Sequence, residues 1–275
     1  IYAQSTQASF AAGTIQLSGL FNNRSKQAFA LGVPLLKPEK SDNFTAGIGV
    51  SPSKNFSFTL DFYSITIKER IVYSSSINTS DKLLANPTTE LGRILKGNST
   101  GAGTFDLASV QFFINGIKTQ TQGLDLVANY KNINLGSGKL GINLAGNYTL
   151  KNKIVGTPNN PAAIKSANAT ILSTQIISLL EEGRPLYKAV LGLDYHVNKF
   201  SVNLNNTLFG TTQFQDLDNG ANYGTYISNA IDPDRSPMED IKQRFSPGVV
   251  TDLNLGYNFT DNIDFSVTVN NIFNV

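Results

Sequence analysis

The chain holds one histidine, His196, directly before Val197-Asn198-Lys199. A hydrolase needs a nucleophile, a base and a group that orients the base. A lone imidazole against a short turn is poorly placed for a ligand pocket, so His196 reads as a structural or solvent-facing residue. The carboxylate pair Glu181-Glu182 could do acid–base work, but adjacent charges at a helix end read as solvated. No catalytic residue is assigned. Asp216-Leu217-Asp218-Asn219 and Asp232-Pro233-Asp234-Arg235 are oxygen-rich, and hard cations want several oxygens. Neither run carries the glycine position and terminal glutamate of an EF-hand loop, and Asx turns explain both. Cysteine is absent, which removes disulfides and thiolate metal sites. Neither a metal nor a cofactor is expected. The chemistry left is recognition. Tyr223 and Tyr226 share a stretch with Asp216, Asp218 and Arg235. Loop aromatics there could stack on a ligand, and these five residues form the candidate ligand-binding set.

The totals narrow the class. Charged residues make up 15% of the 275 residues, against about 25% in a typical soluble domain. Asn, Ser, Thr and Gly fill the gap, giving a large polar but uncharged surface. A net charge of +2 supplies no basic footprint, so nucleic acid is not an expected partner. No apolar run approaches the roughly 18 residues of a spanning helix. Residues 1–10 lack the basic start and apolar core of a leader.

The elements that would position such residues follow a rhythm. Period-2 alternation marks strands over 12–21, 43–51, 55–71, 117–131, 139–153, 186–197, 200–213, 249–259 and 262–272. Short polar turns join some of them: Pro52-Ser53-Lys54, Asn132 to Gly138, Val197-Asn198-Lys199 and Thr260-Asp261-Asn262. Long connections join the others, near 72–108, 154–185 and 214–248. Loops above about 12–15 residues are uncommon in compact domains. Strict alternation of short and long is the pattern of outer-membrane barrels, with short periplasmic turns and long external loops. A Greek-key sandwich would mix lengths without that order. A soluble two-sided sheet also alternates, so no single strand decides between lipid and a protein core.

Facing sets support the barrel. Leu140, Ile142, Leu144, Gly146, Tyr148 and Leu150 oppose Gly141, Asn143, Ala145, Asn147 and Thr149. The polar set is Asn, Thr, Ser and Asp with few Lys or Glu, which suits a wet lumen. Phe56, Tyr130, Tyr195, Phe200, Tyr257 and Phe259 gather near the short turns, where an interfacial aromatic girdle belongs. One strand changes phase: Phe56, Phe58, Leu60 and Phe62 share a parity that Ile65 and Ile67 leave. Either a bulge lies near Tyr63-Ser64, or the strand leaves the bilayer there, as the following Lys68-Glu69-Arg70 favours. Two long loops carry helix signals. Pro87 to Gly97 is one. The other starts at a Ser173 or Thr174 cap, holds Ile176, Ile177, Leu179 and Leu180, and closes at Gly183 and Pro185.

Five stretches also look familiar in order. "LGVPLLKPEKSDNFTAGIGVSP" (31–52), "LDFYSITIKERIV" (60–72), "FFINGIKTQTQGLDLVANY" (112–130), "LLEEGRPLYKAVLGLDY" (179–195) and "DLNLGYNFTDNIDFSVTVNNIFNV" (252–275) together resemble the C-terminal part of the β-barrel of TonB-dependent outer-membrane receptors. The resemblance covers about 31–275. It implies an all-β, antiparallel transmembrane barrel, of which about nine strands are seen here against about 22 in the family's plugged barrels. The expected domain is one, 1–275, a C-terminal barrel portion with plug and closing strand outside this chain. The resemblance further implies uptake of a scarce nutrient such as an iron chelate, cobalamin or a glycan. It implies the TonB complex as a partner, reached through the missing N-terminal part, with outer-membrane lipid around the barrel. A passive porin-like channel and, further off, an outer-membrane hydrolase are the alternatives.

Overall fold

A computed structural model describes residues 3–11, 14–78, 105–166, 169–215 and 242–274. Among them the main feature is an eight-stranded sheet. Its strands are β3 (Lys40–Ser53), β4 (Phe56–Tyr73), β7 (Phe113–Leu135), β8 (Gly138–Ile154), β9 (Tyr187–Val197), β10 (Phe200–Phe209), β13 (Gly248–Thr260) and β14 (Ile263–Val269). The order is β14-β13-β10-β9-β8-β7-β4-β3, so every neighbour in space is a neighbour along this series. That is an antiparallel meander. Its hairpins close on two-residue turns at 54–55, 136–137, 198–199 and 261–262. Asn198 (φ 51) and Gly136 (φ 58) sit in the left-handed region, which tight hairpins need and which Asn and Gly reach most cheaply. Turns therefore occur at all four short connections of the sequence reading, but the one expected over Asn132 to Gly138 shrinks to 136–137 because β7 runs on to Leu135.

Register carries the two-faced pattern across the sheet. Leu255 pairs with Val267 and Val202, while Asn254 pairs with Thr268 and Asn203. Leu140 faces Tyr195 and Leu144 faces Leu191, with Asn143 opposite Gly192 between them. One face is thus apolar and the other polar, strand after strand. The apolar face is open to its surroundings: Phe44, Ile48, Leu150, Ile263 and Phe265 are all more than half exposed. The aromatics near the short turns lie on this face, with Phe56 against Tyr130 at 5.8 Å and Tyr257 edge-on to Phe259 at 4.9 Å.

The polar face is knitted flat. Asn143 Nδ2 donates to Asp194 Oδ2 at 2.5 Å, and Asn254 Nδ2 to Thr268 Oγ1 at 2.7 Å. Asn147 Nδ2 donates to Asp125 Oδ1 at 2.7 Å and to the Tyr63 hydroxyl at 3.1 Å. Gly123 makes room for that phenol. A Cβ there would stand 2.5 Å from Tyr63 Cζ and 2.7 Å from the Tyr148 carbonyl oxygen. Higher on the same strands, Thr121 Oγ1 donates to Asn152 Oδ1 at 3.0 Å. Asn147 and Asn152 lie on one face although five residues separate them, so β8 holds one extra residue between them, a bulge.

Three expectations about the strands need correction. The segment 12–21 does form a strand, β2 (Thr14–Phe21), but in another sheet. It pairs with β1 (Ala3–Ala11) and runs parallel to β6 (Phe105–Gln111), which also pairs with the short β5 (Ile77–Asn78). Alternation marks a strand but does not choose its neighbour. The strand expected over 200–213 also divides: β10 ends at Phe209, and Thr212–Gln215 pairs with Lys242–Phe245 in a two-stranded sheet of its own. Of the two readings of the phase change, the bulge near Tyr63-Ser64 is not seen. Phe56 meets Tyr130, and Gln122 Nε2 donates to Ser64 Oγ at 3.1 Å, so one register runs through both pairs. The irregular residue is Glu69, at φ 53, within a strand that continues to Tyr73.

The chain divides into two compact units. The first is 1–42, 66–119 and 154–177, with α1 (Lys26–Ala30) and α2 (Ala162–Ser166). It holds a dry core of Phe112, Ile114, Ile164, Ile171 and Val110, all under 2% exposed. The Phe112 amide donates to Ser74 Oγ at 3.0 Å, and the Ser74 amide donates back to the Phe112 carbonyl at 2.9 Å. The second is 43–65, 120–153 and 178–275, the body of the eight-stranded sheet.

Candidate functional site

The long connection after β8 ends in α3 (Thr174–Glu181). Ser173 caps it, as its Oγ accepts the Ile176 amide at 3.3 Å, a standard N-cap bond. The helix is the one expected from the sequence. Its last turn meets two other elements. Asn152 Nδ2, on β8, donates to the Leu180 carbonyl at 2.7 Å and the Glu181 carbonyl at 3.2 Å. Such carbonyls lack helical partners at a C-terminus, so Asn152 serves as a cap from another element. On the other side stands the hairpin of β11 (Thr212–Gln215) and β12 (Lys242–Phe245). The Gln215 amide donates to Ser178 Oγ at 2.8 Å and the Gln213 amide to the Glu182 carbonyl at 3.2 Å. Ser178 is almost fully buried by this docking.

A cleft of about 280 Å³ opens among these parts, lined by Thr149 to Lys153, Glu181, Glu182, Leu186, Thr211, Gln213 and Arg244. Its walls carry three cations and two carboxylates. Lys153 Nζ bonds Glu181 Oε2 at 2.6 Å, and Lys151 Nζ donates to Gln120 Oε1 at 2.6 Å. The Glu181 side chain is only 14% exposed while that of Lys153 is 53% exposed. Glu181 therefore does not point into solvent, as the sequence reading had it. The end of β8 brings an ammonium to it, a neighbour no local pattern reveals. The bond to Glu181 is the main reason the Lys153 ammonium is held above its ordinary pKa, with burial opposing and the charges of Glu181 and Glu182 adding to it. An anionic oxygen entering the cleft meets Lys153 and the exposed Arg244.

The five candidate ligand residues Asp216, Asp218, Tyr223, Tyr226 and Arg235 lie outside the described residues, as does the helix expected from Pro87 to Gly97. The β11–β12 hairpin is the stem from which 216–241 departs, so the cleft sits at the root of that loop. Sequence reasoning missed Lys151, Lys153 and Arg244. Their only sequence signal is position, one pair at the end of a strand and the other residue just after the loop. His196 lies exposed at the turn end of β9, opposite Lys139 and Ser201, and its ring has no hydrogen-bond partner among the described residues. No group of three or more potential metal ligands occurs among the described residues.

Residues 1–272 match the protein family described as TonB dependent receptor-like, beta-barrel. A comparison with curated proteins gave no match. Solved structures similar to the chain include the siderophore receptor PirA from Acinetobacter baumannii, with TM-score 0.52 and 20% identity over 87% of this chain and 28% of that one. The outer membrane transporter YddB from Escherichia coli gives TM-score 0.53 and 13% identity over 87% and 29%. A mutant of the ferric enterobactin receptor PfeA from Pseudomonas aeruginosa gives TM-score 0.52 and 16% identity over 94% and 27%. At these identities the likeness is one of fold. This chain spans less than a third of the length of each.

Proposed function

Because this chain belongs to the family of TonB-dependent receptor β-barrels, we propose that it forms part of an outer-membrane importer of a Gram-negative bacterium. The cargo proposed is a scarce nutrient carried as a small chelate, with an iron–siderophore complex first. The energy would come through TonB, from parts of the receptor beyond these residues. The chain would bind and pass its ligand without changing it covalently, so no enzymatic step is assigned.

One observation carries the membrane part of this reading. The eight-stranded sheet exposes apolar side chains on one face, with Phe44 and Ile263 each 60% exposed, and hydrogen-bonds polar ones on the other. In water such a face would be costly at about 25 cal/mol per Å²; in lipid it is at rest. The cleft between α3 and the β11–β12 stem supports the ligand part. Ferric chelates present oxygen-rich, often anionic surfaces, which suit Lys153 and Arg244. Asp216, Asp218, Tyr223, Tyr226 and Arg235 are proposed to complete the contact from the loop above that stem.

The test uses the full-length receptor. Binding of a panel of ferric siderophores is titrated by tyrosine fluorescence, for the native protein and for Lys153→Met with Arg244→Gln. A loss of about tenfold or more in affinity for one chelate is expected, following the roughly 1.4 kcal/mol per tenfold of lost charged contacts. Unchanged affinities for every chelate bound would remove the cleft from the reading. Uptake that persists after a protonophore collapses the proton gradient would favour the passive channel instead.

A further inference from the structure

The lining of the cleft carries three cations, Lys151, Lys153 and Arg244, against two carboxylates, Glu181 and Glu182; without Arg244 the charges balance, two against two. Arg244 therefore decides whether the cleft as a whole attracts an anion. Yet it comes from β12, on an arm outside the eight-stranded sheet. β11 and β12 have four residues each and form a two-stranded sheet of their own. A lone two-stranded hairpin is marginal in water, so the place of this one is set by what it docks on. The chain leaves β10 through Gly210, whose amide donates to the Tyr187 carbonyl at 2.8 Å. A Cβ at Gly210 would stand 2.9 Å from the Tyr187 ring and from the Tyr187 carbonyl oxygen, so this bend suits a residue without one.

Successive amides of a strand point to alternate sides, so Gln213 and Gln215 send theirs to one edge of β11. The Gln213 amide donates to the Glu182 carbonyl at 3.2 Å and the Gln215 amide to Ser178 Oγ at 2.8 Å. The end of α3 thereby covers the edge of β11. Gln213 is also the ladder partner of Arg244, and both line the cleft. On its other flank the end of α3 is held by Asn152, next to Lys153. One path therefore runs from Lys153 through Asn152, the 178–182 segment and Gln213 to Arg244, all of it in the second unit. Ser178 is 4% exposed, so loss of its hydroxyl takes an acceptor from the Gln215 amide where water reaches poorly. The Ser178 carbonyl, which accepts the Glu182 amide at 2.7 Å and the Gly183 amide at 3.0 Å, is a backbone group that a side-chain change spares.

We propose that Ser178 is a positioning residue of the cleft. Without touching a ligand, its hydroxyl fixes the β11–β12 arm so that Arg244 shares the cleft with Lys153, and so sets a preference for anionic over neutral chelates. The proposal rests on the reading of the cleft as a ligand site and adds what holds that site together.

Titration of the full-length receptor in detergent tests it, followed by tyrosine fluorescence, with an anionic ferric tris-catecholate and a neutral ferric tris-hydroxamate as probes. Ser178→Ala is expected to weaken the anionic chelate about fivefold and to change the neutral one less than about twofold. Gln215→Pro removes the donor of the same bond without altering α3, and is expected to match it. Ser178→Thr keeps the hydroxyl and is expected to bind as the native receptor does. In the Arg244→Gln background, Ser178→Ala is expected to add less than about twofold, because the charge it positions is gone. An effect as large there as in the native background overturns the proposal, since Ser178 would then act on the fold of the cleft alone. So does undiminished affinity in both Ser178→Ala and Gln215→Pro while Arg244→Gln weakens the anionic chelate. Arg244→Gln without effect on either chelate would instead overturn the reading of the cleft as a ligand site, and the proposal with it. Circular dichroism of each variant separates a lost bond from a lost fold.

Discussion

The two units solve the same problem in opposite ways. Every buried apolar residue among the described ones, from Phe21 and Val33 to Phe112, Ile164 and Leu172, belongs to the first unit. The second unit contributes none, yet Phe44, Ile263, Phe265 and Val267 are 45–60% exposed on its sheet. The first unit buries these oily side chains against one another. The second displays them and reserves its contacts for polar groups on the far face. On the membrane reading proposed above, the same amino-acid types mean a core in one unit and a lipid surface in the other.

Substitutions that swap the two solvents test this contrast most strongly. Phe112→Ala empties a site with no exposure and is expected to cost about 3–5 kcal/mol in the first unit. Phe265→Ala, more than half exposed, is expected to leave stability in detergent within about 1 kcal/mol. Denaturant titration in detergent micelles reads both, and equal losses would erase the distinction. Next in size, Leu255→Arg places a charge on the outward face and is expected to cost about 2–4 kcal/mol in a bilayer near its midplane. Asn254→Arg, one residue away on the polar face, is expected to cost much less. Equilibrium refolding into lipid vesicles decides between them, and a reversed order would place lipid on the wrong side.

The polar face is tested by Gly123→Ala. The added methyl meets the Tyr63 ring and the Tyr148 carbonyl, so a loss of about 1–3 kcal/mol is expected. Tyr63→Phe in the same chain should restore little, because the backbone carbonyl remains. Full rescue in a double-mutant cycle would show that the phenol alone sets the constraint. The Lys153–Glu181 pair is smaller, since Lys153 is half exposed and solvent screens it. Its pKa is raised from 10.5 in the folded state. The stabilisation is therefore complete below pH 10.5 and fades as pH rises through the higher folded value. Lys153→Met should abolish that alkaline fall in local stability, measured by hydrogen exchange of the α3 amides. Smallest is Asp42, whose carboxylate is held below 3.8 by its bond to Lys68, then by the charges of Lys68 and Lys118. Its contribution is present above pH 3.8 and is lost as pH falls through the folded value. Asp42→Asn is expected to leave thermal unfolding unchanged at neutral pH, and a clear shift would give that exposed pair a larger part.

Legibility in the sequence tracks how local each signal is. The hairpins 43–71, 117–153, 186–213 and 249–272 were readable because alternation and turn residues are written within a few positions, except that the chain leaves the sheet after Phe209. The α3 helix was readable from Ser173, Gly183 and Pro185 for the same reason. The neighbour of β2 was not, because a parallel partner at 105–111 lies far along the chain. Glu181 read as solvated because Lys153 reaches it only when β8 and α3 meet. The cleft at Arg244 was hidden on the same ground, as its walls come from four separate segments.

By itself, the order of residues determined a two-faced antiparallel sheet, its short and long ends and the family to which it belongs. Periodicity and turn chemistry are short-range, so they survive without a structure. Only the tertiary structure decided which oily residues form a core, that β2 pairs with β6 and not with the meander, and that Lys153 reaches Glu181. Those outcomes depend on register between strands distant in sequence, and register is settled by the packing of whole faces against each other.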